Sequence, residues 1–210
     1  MELTKEFIKS LLGVDADPTL LLPDPDLIQY YEDLQNRVLW LDDEVGYDCL
    51  DFVSKIIRWN REDQGKPRNE RKPIRIFFNS PGGDLDIEET LVSIINLSKT
   101  PVWGVALGMV ASAASLIYLS CHRRLALPNS YFIFHQGSCA NVSGSYSEVQ
   151  AAMSDYKTQV EKMEKFYIEN TLYPEDVIKK KIQSDWYIHS EEAKEYNVIT
   201  DIIEDIDVLL

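Results

Sequence analysis

From residue 37 onward, short apolar runs alternate with amphipathic stretches in a regular order. RVLWL at 37–41 predicts a strand, and YDCLDFVSKIIRWN at 47–60 has the spacing of an amphipathic helix. IRIFFN at 74–79 is a second apolar, β-rich run, closed by the turn SPGG. DLDIEETLVSIINLS at 84–98 then sets Leu85, Leu91, Ile94 and Ile95 largely on one helical face. PVWGVAL at 101–107 predicts a third strand, residues 112–120 a helix, and RLAL at 124–127 and YFIFH at 131–135 two more strands. Strands alternating with helices predict an α/β fold with a mostly parallel sheet. Ligands of such sheets sit beyond the carboxyl ends of the strands, where SPGG, GMVAS and FHQG all fall.

The last third has another period. Val149, Met153, Tyr156, Val160, Met163 and Tyr167 alternate steps of four and three, which predicts one long helix at 145–170 with a single apolar stripe. Its length, and the polar loop GSCANVSGSYS before it, suggest a helix projecting to pack against another subunit. PEDVIKKKIQ at 174–183 opens with proline and two acids, as a helix start should, and VITDII closes the chain with a short strand. At the other end, LLLPDPD carries two prolines among crowded carboxylates, so 15–26 reads as irregular. Residues 1–29 are expected to form an acidic N-terminal segment, and 30–210 a single domain.

Charge and composition remove several function classes. The chain has 210 residues, 35 acidic against 21 basic, and a net charge of −14. That balance disfavours nucleic acid and anionic membrane as partners, since phosphate binding needs clustered Lys and Arg. The one basic cluster, KPRNERKPIR at 66–75, reads as a solvated connection. No apolar run approaches the roughly 20 residues needed to span a bilayer. The N-terminus lacks the features of a signal peptide, so the cytoplasm is the expected compartment. Cys49, Cys121 and Cys139 are odd in number and scattered, which reads as reduced thiols without a zinc site. The three histidines show no ligand spacing either, so no metal is expected.

The candidate chemistry lies in LGMVASAASLIYLS at 107–120, where hydroxyls interrupt a small and apolar run. Ser112 could be a helical residue bonding a carbonyl one turn back. It could instead be a nucleophile, if a base takes its proton and a third group orients that base. His135, ending an apolar strand at the same sheet edge, is the best base; a strand-end histidine satisfied by solvent is the alternative. Asp185, isolated before an apolar pair in QSDWYIHSEEA, is the candidate acid. Backbone N–H groups for an oxyanion could come from Gly82 or Gly83, and from Ala113 at the first turn of a helix.

FFNSPGGDLDIEETLVSII, GMVASAASLIYLS, LALPNSYFIFHQG and SDWYIHSEEAKEYNVITDII resemble, in that order, segments of the Clp protease proteolytic subunit (ClpP) family. The resemblance covers roughly residues 30–205. It implies a ClpP/crotonase-like fold of repeated ββα units, with a handle region at about 136–171. It aligns Ser112, His135 and Asp185 with the family's catalytic triad, and Gly83 and Ala113 with its oxyanion donors. It further implies two stacked heptameric rings of this chain and unfolded polypeptide as substrate. An AAA+ unfoldase partner would consume ATP, and this chain would carry no cofactor of its own. The sequence departs from the pattern at Ala113 and Ala114, where Met-Gly is usual, at Ser184 in place of arginine, and at Asn197 in place of glycine. Residues 64–72 read as an insertion. A phage-type head-maturation protease and a catalytically silent ring subunit remain alternatives.

Overall fold

The computed structural model describes residues 25–139 and 142–209. The chain divides into two compact units, Met1–Asn36 and Arg37–Leu210. The described part of the first is helix α1, Pro25–Asn36, with Asp26 in its first turn and Gln29 Nε2 donating to Asp33 at 3.2 Å. The irregular segment expected at 15–26 lies, up to residue 24, outside the described residues.

The second unit is built on β1 (Val38–Leu41), β2 (Ile74–Ser80), β3 (Val102–Ala111), β4 (Arg123–Ala126) and β7 (Asp201–Ile202), hydrogen-bonded side by side. All four pairings are parallel. β2 is buried at every position but Asn79, as a strand covered on both faces must be. The covering helices are α2 (Leu50–Glu62), α3 (Leu85–Leu97) and α4 (Ala113–Ser120). α2 buries Phe52, Ile56 and Trp59, while α4 is buried throughout. Asp84 starts α3 by accepting hydrogen bonds from the N–H groups of Asp86 and Ile87, satisfying two donors that have no partner within the helix. The 66–75 connection forms a short 3₁₀ turn at Arg68–Glu70 and is largely exposed.

β3 carries the architecture. It runs four residues beyond the expected 101–107 and changes partner on the way. Trp103–Ala106 pairs with β4, and Met109–Ala111 with β5 (Tyr131–Phe134). β5 in turn pairs antiparallel with β6 (Trp186–His189), a strand without a strong sequence signal. Helices α5 (Tyr146–Asn170), α6 (Glu175–Lys181) and α7 (Ser190–Glu195) complete the unit. Ser145 opens α5 with a capping box, its hydroxyl accepting from the N–H of Glu148 while the Glu148 carboxylate accepts from the Ser145 N–H. Asn197 takes φ +55° after α7, the left-handed turn that suits Asn or Gly.

One buried ion pair locks the amino-terminal edge of this sheet. Arg37, at φ +57°, is buried and grips fully buried Asp63 with both terminal nitrogens, at 2.5 and 3.1 Å. Asp63 also accepts from Thr100 Oγ1 at 3.1 Å and from Lys66 Nζ at 2.9 Å. These donors, Arg37 foremost, hold its carboxyl well below the usual carboxylate range. Asp63→Asn strips the buried guanidinium of its counter-charge, and urea unfolding at neutral pH should show a loss of about 3–5 kcal/mol. A carboxyl with a depressed folded pKa contributes stability that is complete above its unfolded value and fades as pH falls. The gap between wild type and Asp63→Asn should therefore narrow in acid; a gap of constant size would refute this account.

Candidate active site

Ser112 sits between β3 and α4 with φ +52° and ψ −129°, a conformation that belongs to neither element. Hydrogen bonds to its backbone fix it there. Its N–H donates to Ile133 O at 3.0 Å, continuing the β3–β5 ladder, and its carbonyl accepts from the Ser115 N–H at 2.8 Å. A positive φ on a non-glycine residue persists only when its surroundings over-determine it. Ser112 is thus no helical residue bonding a carbonyl one turn back. Its half-buried side chain instead puts Oγ 2.6 Å from His135 Nε2.

The register of β5 and β6 brings the next two groups together. Phe134 pairs with Trp186, so the residues just beyond that antiparallel pair, His135 and Asp185, face one another. His135 Nδ1 lies 3.4 Å from Asp185 Oδ1, an ion-pair contact longer than an ordinary hydrogen bond. The Asp185 side chain is 58% exposed, that of His135 24%. The remaining histidines lie elsewhere. His122 Nδ1 accepts from the Val102 N–H at 3.0 Å, and His189 on β6 stands against Tyr131.

Gly82 and Gly83 form the facing wall. Gly82 has φ +96°, and a Cβ there would stand 2.6 Å from Ser112 Cβ, 2.7 Å from Ala111 O and 3.0 Å from Ala113 N. At Gly83 a Cβ would meet Val45 O at 2.4 Å, because a parallel bridge joins Val45 to Gly83. Around this bridge Val45 N–H donates to Gly82 O and Asp84 N–H to Val45 O, both at 2.8 Å. The N–H groups of Gly83 and Ala113 donate to no other described residue. Two backbone donors of the kind that stabilises an oxyanion are thereby left beside a serine–histidine pair.

Two supporting residues escaped the sequence reading. Ser115 Oγ donates to Ser112 O at 2.6 Å and lies 3.1 Å from the hydroxyl of fully buried Tyr167 on α5. Burial, only partly offset by contacts with Ser115 and the His135 backbone, pushes the Tyr167 hydroxyl above its ordinary range. Tyr167 also stacks on Phe134, with ring centroids 4.2 Å apart. The signals were the i, i+3 spacing of Ser112 and Ser115 and the last tyrosine of the long stripe. Among the described residues, no group of three or more His, Cys, Asp or Glu could hold a metal ion, and no helix is long and apolar enough to cross a membrane. Cys49 and Cys121 are free and buried, Cys139 free and exposed.

Comparison with known proteins converges on one family. The family model "Clp protease" matches residues 31–206. ATP-dependent Clp protease proteolytic subunit 3 of Rhizobium meliloti (strain 1021) is 34% identical over 135 residues, covering 63% of this chain and 69% of the relative. Proteolytic subunit 2 of Treponema denticola is 33% identical over 133 residues, covering 62% and 66%. Among solved structures, a ClpP1 mutant from Listeria monocytogenes superposes with a TM-score of 0.73 at 25% identity, covering 87% of this chain and 99% of that one. With a family model matched across nearly all of the unit that holds Ser112, His135 and Asp185, the chain belongs to the Clp protease family.

Proposed function

We propose that this chain is the proteolytic subunit of an ATP-dependent Clp-type protease, a serine endopeptidase acting on unfolded polypeptide. The observation that carries this reading is the 2.6 Å approach of His135 Nε2 to Ser112 Oγ at a strained strand–helix turn. In the proposed reaction His135 takes the Ser112 proton as Oγ attacks the scissile carbonyl carbon. The oxygen of that carbonyl gains negative charge and is met by the N–H groups of Gly83 and Ala113. His135 then returns the proton to the departing amine, leaving an acyl-serine ester. Water, deprotonated by the same imidazole, hydrolyses the ester and regenerates Ser112. Asp185 faces Nδ1 and opposes the positive charge of each imidazolium. No step draws on a cofactor in this chain; the family resemblance assigns ATP to a partner AAA+ unfoldase in the cytoplasm.

The same reading places the subunit in two stacked heptameric rings, and α5 supports it. Of its 25 residues only Met163 and Tyr167 are buried, both near the carboxyl end. Met153 is 49% exposed, and Val149 and Val160 are only half-covered. Such a stripe suits a matching surface on another copy.

A silent ring subunit is favoured by one observation, the 3.4 Å separation of His135 and Asp185. A fluorophosphonate probe separates the two readings, since labelling of Ser112 requires a competent serine–histidine pair. We expect stoichiometric labelling of wild type and none of Ser112→Ala. Ser112→Ala should keep wild-type stability and assembly while peptide hydrolysis falls by roughly 10³-fold or more. His135→Ala and Asp185→Asn should lose activity without adding to that loss. A Ser112→Ala protein cleaving peptides at near the normal rate would end the proposal.

Gly82→Ala drives a methyl into the Ser112 turn at an unfavourable φ, so both thermal stability and labelling should drop, by about 1–3 kcal/mol in the former. Unchanged labelling would show that the turn tolerates displacement. For assembly, Met153→Asp with Val160→Asp should reduce native mass to single rings or smaller species. A wild-type monomer at micromolar concentration would refute the ring.

A further inference from the structure

The carbonyl of Ser112 and the N–H of Ala113 belong to one peptide unit, and in a planar trans peptide those two bonds point in opposite directions. Whatever holds the Ser112 carbonyl therefore aims the Ala113 N–H. That nitrogen faces the Gly82–Gly83 wall, since a Cβ built on Gly82 would stand 3.0 Å from it. On the opposite side Ser112 O accepts twice from Ser115, from its N–H at 2.8 Å and from its Oγ at 2.6 Å. The N–H bond spans only three residues, the tighter and poorer geometry of a 3₁₀ turn. It must also hold a residue at φ +52° at the head of a helix only eight residues long. The hydroxyl bond reinforces it.

Ser115 Oγ has a single proton, which it gives to Ser112 O. At its 3.1 Å contact with Tyr167 it therefore accepts, and the tyrosine donates. Both side chains are fully buried. Burial pushes the Tyr167 hydroxyl up, so it stays protonated and a donor through the neutral range. Its oxygen keeps a further contact with the His135 backbone, and its ring stacks on Phe134.

Resting on the peptidase reading, we propose that Ser115 and Tyr167 are positioning residues of the oxyanion hole. They form a hydrogen-bond relay from Tyr167 Oη through Ser115 Oγ to Ser112 O, which keeps the Ala113 N–H directed at the reacting carbonyl oxygen. Neither side chain touches substrate. The relay matters when that oxygen takes up charge, so it bears on turnover and not on binding of the uncleaved peptide. Ser120 makes the same kind of bond at the far end of α4, Oγ to Ile117 O at 2.6 Å, and serves as the reference.

The test is steady-state hydrolysis of a coumarin-amide peptide by the full chain, joined to inhibition by a peptide boronate. The boronate's tetrahedral adduct on Ser112 places an oxygen where the oxyanion forms. Ser115→Ala should lower kcat roughly 10- to 100-fold with KM within about twofold, somewhat less than outright loss of an oxyanion donor costs. Boronate affinity should fall in step with kcat. Tyr167→Phe, which keeps the stack on Phe134, should lower kcat by about 3- to 10-fold in the same pattern. Because Tyr167 acts through Ser115, the double variant should turn over no more slowly than Ser115→Ala alone. Melting should show the opposite pattern. Ser115→Ala strands the buried tyrosine hydroxyl, and adding Tyr167→Phe should recover part of the lost stability. Ser120→Ala should leave kcat unchanged. A Ser115→Ala protein with wild-type kcat, a loss carried by KM, or an equal loss in Ser120→Ala would overturn the relay. So would losses that multiply in the double variant, which would place the effect of Tyr167 at His135. A wild type inert to fluorophosphonate removes the peptidase reading and the relay's catalytic role with it, whereas an active wild type with an unaffected Ser115→Ala variant removes the relay alone.

Discussion

Everything at the site depends on how closely two turns approach each other. The Gly82–Gly83 turn lies so near Ala111–Ser112–Ala113 that no side chain fits between them. That distance permits Ser112 to stay at a positive φ, because the backbone on both sides is already held. On one side Val45 bridges to Gly83 and Asp84 caps α3; on the other the Ser112 N–H ends the β3–β5 ladder. The glycines are therefore structural for the serine, and the pair of unengaged N–H groups follows from the same crowding.

The chain treats its charges in two ways. Arg37 and Asp63 are buried together, each supplying what the other lost on leaving water. Most of the remaining acidic surplus stays in solvent, where salt screens it. His135 with Asp185 stands between the two patterns, partly buried and loosely paired. A half-exposed acid reinforces a nearby imidazolium less than a buried one does, and the small motion that would shorten 3.4 Å is correspondingly inexpensive.

Legibility from sequence followed burial. IRIFFN was readable because a parallel strand covered on both faces is a continuous apolar run, and α5 because one stripe, Val149 to Tyr167, persists over about five turns. β3 was cut short at Leu107, with GMVAS placed just beyond the strand end. Gly108 does not end the strand: Asn79 Oδ1 stands 2.7 Å from where its Cβ would be, and the strand continues past it. β6 is four residues long and is a strand only because β5 lies beside it. At the site, residue types and order pointed to Ser112, His135 and Asp185. The stripe placed Tyr167 on an apolar face, but nothing local could reveal its contact with Ser115, which spans 52 positions and exists only once α5 folds back on α4.

The division of β3 between two neighbours has a bearing on how the chain is made. Ser112 meets His135 across 23 positions, but Asp185 arrives only after the whole of α5 and α6 has been synthesised. A ribosome emits the chain from its amino terminus, so the serine turn, the imidazole and the carboxylate emerge as three separate events. No nascent fragment ending before Asp185 holds all three. The proposed serine–histidine–aspartate arrangement is thereby completed only late in synthesis.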